Sequence, residues 1–102
     1  DEQSAHLSLA RDALSLEATI YEQWDRLVNA YESVLFENDA VALAQEALDI
    51  SREEYRLGRI TDTQFREAQL SLLQARVRLE SARFRYALLS VQLEQLAGVL
   101  RF

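Results

Sequence analysis

The sequence predicts an all-α fold, an antiparallel two-helix coiled-coil hairpin that takes up residues 1–102 as one unit. Three observations carry that expectation. The 102 residues contain two Gly and neither Pro nor Cys, too little turn material for a sandwich, a barrel or most α/β folds. Hydrophobic residues make up 49% and charged residues 27%, which is not the composition of a disordered tail. Apolar residues recur in steps of three and four on both sides of Gly58, as in the seams of packed helices.

Helix 1 is expected over about residues 3–57, a length of ~80 Å at the helical rise. Its main stripe runs through Ala13, Leu16, Ile20, Gln23, Leu27, Ala30, Val34, Glu37, Val41, Ala44, Leu48, Ser51 and Tyr55. A second stripe near the turn holds Phe36, Ala40, Leu43, Ala47, Ile50 and Leu57. Higher up, Tyr21, Trp24, Val28, Tyr31 and Leu35 form another. Small residues are frequent in these stripes and let helix axes approach closely.

The reversal is expected at residues 58–61. Gly58, in Arg56-Leu57-Gly58-Arg59-Ile60-Thr61-Asp62, is read as the left-handed residue that stops helix 1. Thr61 or Asp62 then caps helix 2 through a side-chain oxygen.

Helix 2 is expected over about residues 62–97, ~54 Å long, with Gly98 loosening or ending it. Its seam is Phe65, Ala68, Leu72, Ala75, Leu79, Ala82, Tyr86, Leu89, Leu93, Leu96 and Leu100. A second stripe, interrupted at Glu80, holds Leu70, Leu73, Val77, Phe84, Ala87 and Val91. One seam serves a simple hairpin. Two seams let each helix pack on both sides, as in a larger bundle or a ring of helices.

A hairpin centred near residues 59–60 pairs positions that add to about 119. Glu37 and Asp39 then approach Arg78 and Arg83, and Glu32 and Val34 approach Arg85. Residues 1–17 overhang and need a partner elsewhere. Trp24 falls beside the expected end of helix 2, where it is expected to fill a wider layer. The aromatic residues of the stripes are read first as packing groups. His6, near the start, is read as solvated.

Charge and composition narrow the function. Every basic residue is Arg, and the net charge is −6. An acidic rod repels phosphate backbones, so no nucleic acid partner is expected. Residues 1–58 hold 13 acids and 4 Arg, and residues 59–102 hold 4 acids and 7 Arg, so the halves complement each other. No apolar run approaches the ~18 residues of a membrane helix, and no signal peptide is evident. The chain starts at Asp1 and lacks Met, which reads as a mature product or an excised fragment. No enzyme is expected: there is no nucleophile-base set, no Gly-rich phosphate loop and no Glu-x-x-His pair. Glu46, Asp49, Glu53 and Glu54 supply no closed ligand set, so neither metal nor cofactor is expected. The turn, Tyr55 to Asp62, has two open readings: ordinary capping, or a docking tip where Gly58 permits close backbone approach.

The run Tyr55-Arg-Leu-Gly58-Arg-Ile-Thr61-Asp62-Thr-Gln-Phe65-Arg-Glu-Ala68-Gln69-Leu70, then Leu73-Gln-Ala75-Arg76 and the closing Leu93-Glu-Gln-Leu96-Ala97-Gly98, resembles the TolC family of outer-membrane efflux channels. The likeness spans about residues 41–100; residues 1–40 share only helical character. It implies a homotrimer whose hairpins form a twelve-helix α-barrel across the periplasm of a Gram-negative bacterium. The β-barrel that holds such a channel in the outer membrane is absent from this chain. Each protomer of that family carries two such hairpins, and the Ala-Gly ending is more similar to the second. The resemblance assigns Tyr55, Leu57, Gly58, Arg59, Ile60, Thr61 and Asp62 to the tip that docks a periplasmic adaptor, which links the channel to an inner-membrane pump. It places Tyr55 where some members have a Tyr that helps hold the tunnel shut, and Ile60 where they have a pore-lining Arg. Gln64 and Glu67 fall at pore-lining positions that are acidic in some members. The implied function is passive export of drugs, metals or proteins. Two rivals stand beside it. An adaptor hairpin typically shows an Arg-Leu-Ser-type tip without Gly, and a structural coiled-coil spacer needs only one seam.

Overall fold

The computed structural model describes residues 1–99. Two helices account for nearly all of them: α1 (Glu2–Arg56) and α2 (Asp62–Val99), joined through residues 57–61. Among the described residues there is no strand. The molecule measures 83 × 19 × 14 Å, two helices wide and one helix thick. Gly98 does not end α2, which continues to Val99. A helical Gly costs about 1 kcal/mol relative to Ala, which the neighbouring turns absorb. Leu100, the last member of the expected seam, lies outside the described residues.

α2 folds back along α1, and a single seam closes between them. From Leu16 to Ser51 on α1 and from Phe65 to Leu96 on α2, no member of the two main stripes is exposed. The most deeply covered are Ala30, Leu48, Leu72, Ala75 and Leu79. Four contacts fix the register: Glu37 with Arg78 at 3.3 Å, Gln45 with Arg76 at 3.2 Å, Tyr31 with Tyr86 at a ring separation of 5.7 Å, and Tyr55 with Phe65 at 4.9 Å. Their residue numbers all add to within a few of 119. Ala30, Ala44, Ala68, Ala75 and Ala82 are all covered in this seam, and such small residues let the two helices approach closely.

Cross-hairpin charges form in part. Arg78 reaches the largely covered carboxylate of Glu37. Arg83 turns instead to Glu80 on its own helix at 2.8 Å rather than to Asp39, because a partner three residues away needs no reach across the seam. A polar chain ties Arg52 to Asp49 at 3.4 Å, Asp49 to Gln45 at 3.1 Å, and Gln45 to Arg76 on α2. Exposed pairs contribute only ~0.5 kcal/mol each, so they specify alignment more than they stabilise it.

α1 is 55 residues long and α2 is 38, so the start of α1 outruns its partner. Residues 1–15 are exposed throughout. Trp24 does not fill a buried layer; it is 54% exposed, because its position turns it toward one flank of the rod.

Candidate functional site

The tip is built from two interlocking caps. At the end of α1 the Gly58 N–H donates to the Tyr55 carbonyl at 3.0 Å, and the Arg59 N–H donates to the Glu54 carbonyl at 2.8 Å. This pair of bonds is a Schellman motif, and it needs a left-handed residue between the helix and the chain that leaves it. Gly58 supplies it, with φ of +74°. An apolar contact often accompanies the motif. Here the two positions carry an ion pair instead, Arg59 with Glu54 at 3.4 Å.

α2 opens with a capping box. The Gln64 N–H donates to Thr61 Oγ1 at 3.1 Å, and the Thr61 N–H donates to Gln64 Oε1 at 2.9 Å. Thr61, not Asp62, is therefore the cap. Ile60 and Phe65 occupy the two staple positions around the box, and both are half-buried. Gln64 thus spends its side chain on its own helix terminus. Glu67 lies one turn further on, exposed.

Tyr55 and Phe65 stack across the hairpin with their planes 13° apart. The Tyr55 hydroxyl points to Asp62 Oδ1 at 3.4 Å, and Arg66 holds the same carboxylate at 3.0 Å. Arg56 donates to Glu53 at 3.1 Å. That bond keeps the Glu53 carboxyl below its ordinary range and raises Arg56 above its own. All three arginines nearest the turn, Arg56, Arg59 and Arg66, are thus matched by acids of the same chain. What the tip leaves uncommitted is apolar: Leu57 is 48% exposed, and open space surrounds Gly58 where a side chain would stand. An apolar knob and bare backbone inside a neutralised rim offer a surface for shape-matched protein contact.

The uncovered faces are the second feature. On α2, Leu70, Leu73, Val77, Phe84 and Val91 are 50–71% exposed. At about 100° per residue they lie roughly 150° around the helix from the closed seam. On the tip half of α1, Phe36, Leu43 and Ile50 are exposed, and on its upper half Tyr21, Trp24, Tyr31 and Leu35 are exposed. The grooves along the rod are open to solvent; one of about 500 Å³ lies beside Val77 and Phe84. Among the described residues no three His, Asp or Glu side chains converge on a point, and no helix is long and apolar enough to cross a membrane.

A charged row lies outside the apolar stripes. Asp25, Glu32, Asp39, Glu46 and Glu53 repeat every seventh position and are all exposed, forming an acidic row along the back of α1. The spacing alone could have shown it. Compared with known proteins, the chain matches no protein-family model, no curated protein and no solved structure.

Proposed function

We propose that this hairpin is a stave of a TolC-like outer-membrane channel. In that role it belongs to a homotrimer with a twelve-helix α-barrel on the periplasmic side of the outer membrane of a Gram-negative bacterium. The barrel conducts substrates outward without catalysis or cofactor. A periplasmic adaptor docks on the tip and connects the conduit to an inner-membrane pump.

The observation that carries this proposal is the unpartnered apolar stripe of α2, set nearly opposite a seam that is already closed. A free-standing hairpin or a simple spacer has no use for Leu70, Leu73, Val77, Phe84 and Val91 in water. A stave does, since the stripe meets the neighbouring hairpin of the ring, and Phe36, Leu43 and Ile50 are left for the hairpin on the other side. The tip supports the docking role: its helix ends are fully capped, its charges are paired internally, and Leu57 and Gly58 remain for a partner. Gln64, committed to the capping box, is available to a pore only through its outer edge; Glu67 is the stronger lumen candidate.

The test is Leu57→Glu and Gly58→Asp in the whole channel. Both are expected to abolish efflux while trimers still assemble, read by drug susceptibility and by trimer yield in membranes. Normal efflux by both variants contradicts the docking role.

A further inference from the structure

In the tip half of the rod each helix has two apolar directions, the closed seam and one open stripe. The angle between them sets how a wall of such helices curves. Contacts across the seam tell the two flanks of the rod apart. Gln45 and Arg76 bond on the first flank. Asn29, Ser33 and Arg85 line a groove on the second. Asn29 begins a row with a spacing of seven that continues as Phe36, Leu43 and Ile50, so the open stripe of α1 lies on the second flank. Ala40 and Ala47 follow Ser33 at the same spacing and border it on the seam side, so the stripe stands roughly 100° from the seam. The open stripe of α2 stands roughly 150° from the seam. It leans to the first flank through Leu73, three residues from Arg76, and Ala87, four from Arg83. A flat row of helices needs the two directions of each helix to be opposite. α1 therefore bends the row by about 80° toward the second flank and α2 by about 30° toward the first, which leaves about 50° per hairpin toward the second. A closed ring of six hairpins needs about 60° from each.

We propose that the second flank is the lumen wall of the channel, with Arg85 as its unpaired charge. This rests on the stave reading and adds which side of the stave meets the exported substrate. The chemistry of the faces agrees with the curvature. On the second flank of α2 stand two rows with a spacing of seven: Gln64, Ser71, Arg78 and Arg85, and beside them Glu67, Gln74 and Ser81. All seven are polar and exposed, with no apolar interruption. On the tip half of α1 the polar arc lies elsewhere, with Asp39, Glu46 and Glu53 on the back and Asn38, Gln45 and Arg52 on the first flank. The water-facing arcs of the two helices thus point to opposite sides of a wall one helix thick, α2 inward and α1 outward.

The lumen wall so defined is sparsely charged. Arg78 is matched by Glu37 at 3.3 Å, Arg26 by Glu22 at 2.7 Å, and Glu54 by Arg59 at 3.4 Å. Arg85 forms no ion pair with any described residue. It borders the groove of Asn29 and Ser33, whose side chains carry no charge to neutralise it. Glu67 lies closer to the tip by about 27 Å at the helical rise. A substrate that enters at the tip therefore passes a carboxylate first and a guanidinium later. Rings of fixed charge in a pore set which ions it favours. At the height of Arg85 the wall takes an anionic group, a carboxylate or a phosphate, which a guanidinium holds with two parallel hydrogen bonds. The carboxylates along the back of α1 face outward and leave this preference untouched.

The test is conduction by the whole channel in planar bilayers. Ser81 and Asp39 stand at the same height on opposite sides of the wall, and both are exposed, so substitution at either leaves the seam intact. The probe is 2-(trimethylammonium)ethyl methanethiosulfonate. It is expected to lower the conductance of the Ser81→Cys channel by about a quarter or more, and that of the Asp39→Cys channel by no more than about a twentieth, each relative to the parent treated alike. Arg85→Glu is expected to raise the potassium-to-chloride permeability ratio about threefold, and Asp39→Arg to leave it within about a tenth of the parent value. Lost conductance at Asp39→Cys with none at Ser81→Cys puts the first flank inside and overturns the proposal. So does a permeability ratio indifferent to Arg85→Glu. A parent protein that forms no channel overturns the stave reading itself, and this proposal with it.

Discussion

Gly58 carries the reversal of the chain, and its cost can be isolated. Its φ of +74° is disfavoured for any side chain, yet a Cβ there would meet nothing within 4 Å. Gly58→Ala should therefore lose stability through the backbone alone, by about 1 kcal/mol, and lower Tm by about 5 °C in a thermal melt. A second effect at this scale is set by pH. The Arg56 bond holds the Glu53 carboxyl below its ordinary range, so its contribution is complete above about pH 4.5 and is lost as pH falls through the lowered value. Melts at neutral and acid pH should show Arg56→Ala losing less stability on acidification than the parent chain. Gly58 was legible as the turn from its residue type, and the cap was narrowed to Thr61 or Asp62. The Arg59–Glu54 pair and the commitment of Gln64 to the capping box were not, because each depends on which of two nearby partners a flexible side chain chooses.

At the scale of the helix, the seam has one weak layer. Gln23 falls at an apolar position, and its buried Oε1 meets no protein donor. Leaving a polar atom so placed costs about 1–3 kcal/mol, so Gln23→Leu should stabilise the hairpin by about 1 kcal/mol in chemical denaturation. A decrease would show that the amide has a partner after all. The same layer explains what the stripes could and could not foretell. Steps of three and four identified the seam from Leu16 to Leu96, because periodicity reports which face is dry; they missed the half-buried polar residues beside it, Thr19, Gln45, Glu54 and Ser90. They could not say which of two apolar stripes a helix uses first. Nor did periodicity foresee Trp24 facing solvent, since the flank a residue turns to depends on its place in the seven-residue repeat rather than on its hydrophobicity.

As a whole, the molecule is a rod 83 Å long with one closed seam and apolar edges left open. The acidic row along α1 limits what can pack on the rod. It keeps one ridge of the rod in water whatever covers its flanks, since five carboxylates with this spacing have no acceptable dry environment. The central claim, that the open stripe of α2 is covered by a neighbouring hairpin of an assembled ring, is tested most directly by thiol shielding. The polypeptide that carries residues 1–102 would be expressed in its own cell with Leu43→Cys or Val77→Cys. The account predicts that each thiol is shielded from a hydrophilic maleimide in the assembled protein and labels rapidly once it is denatured. Rapid labelling at both positions in the assembled protein would contradict it.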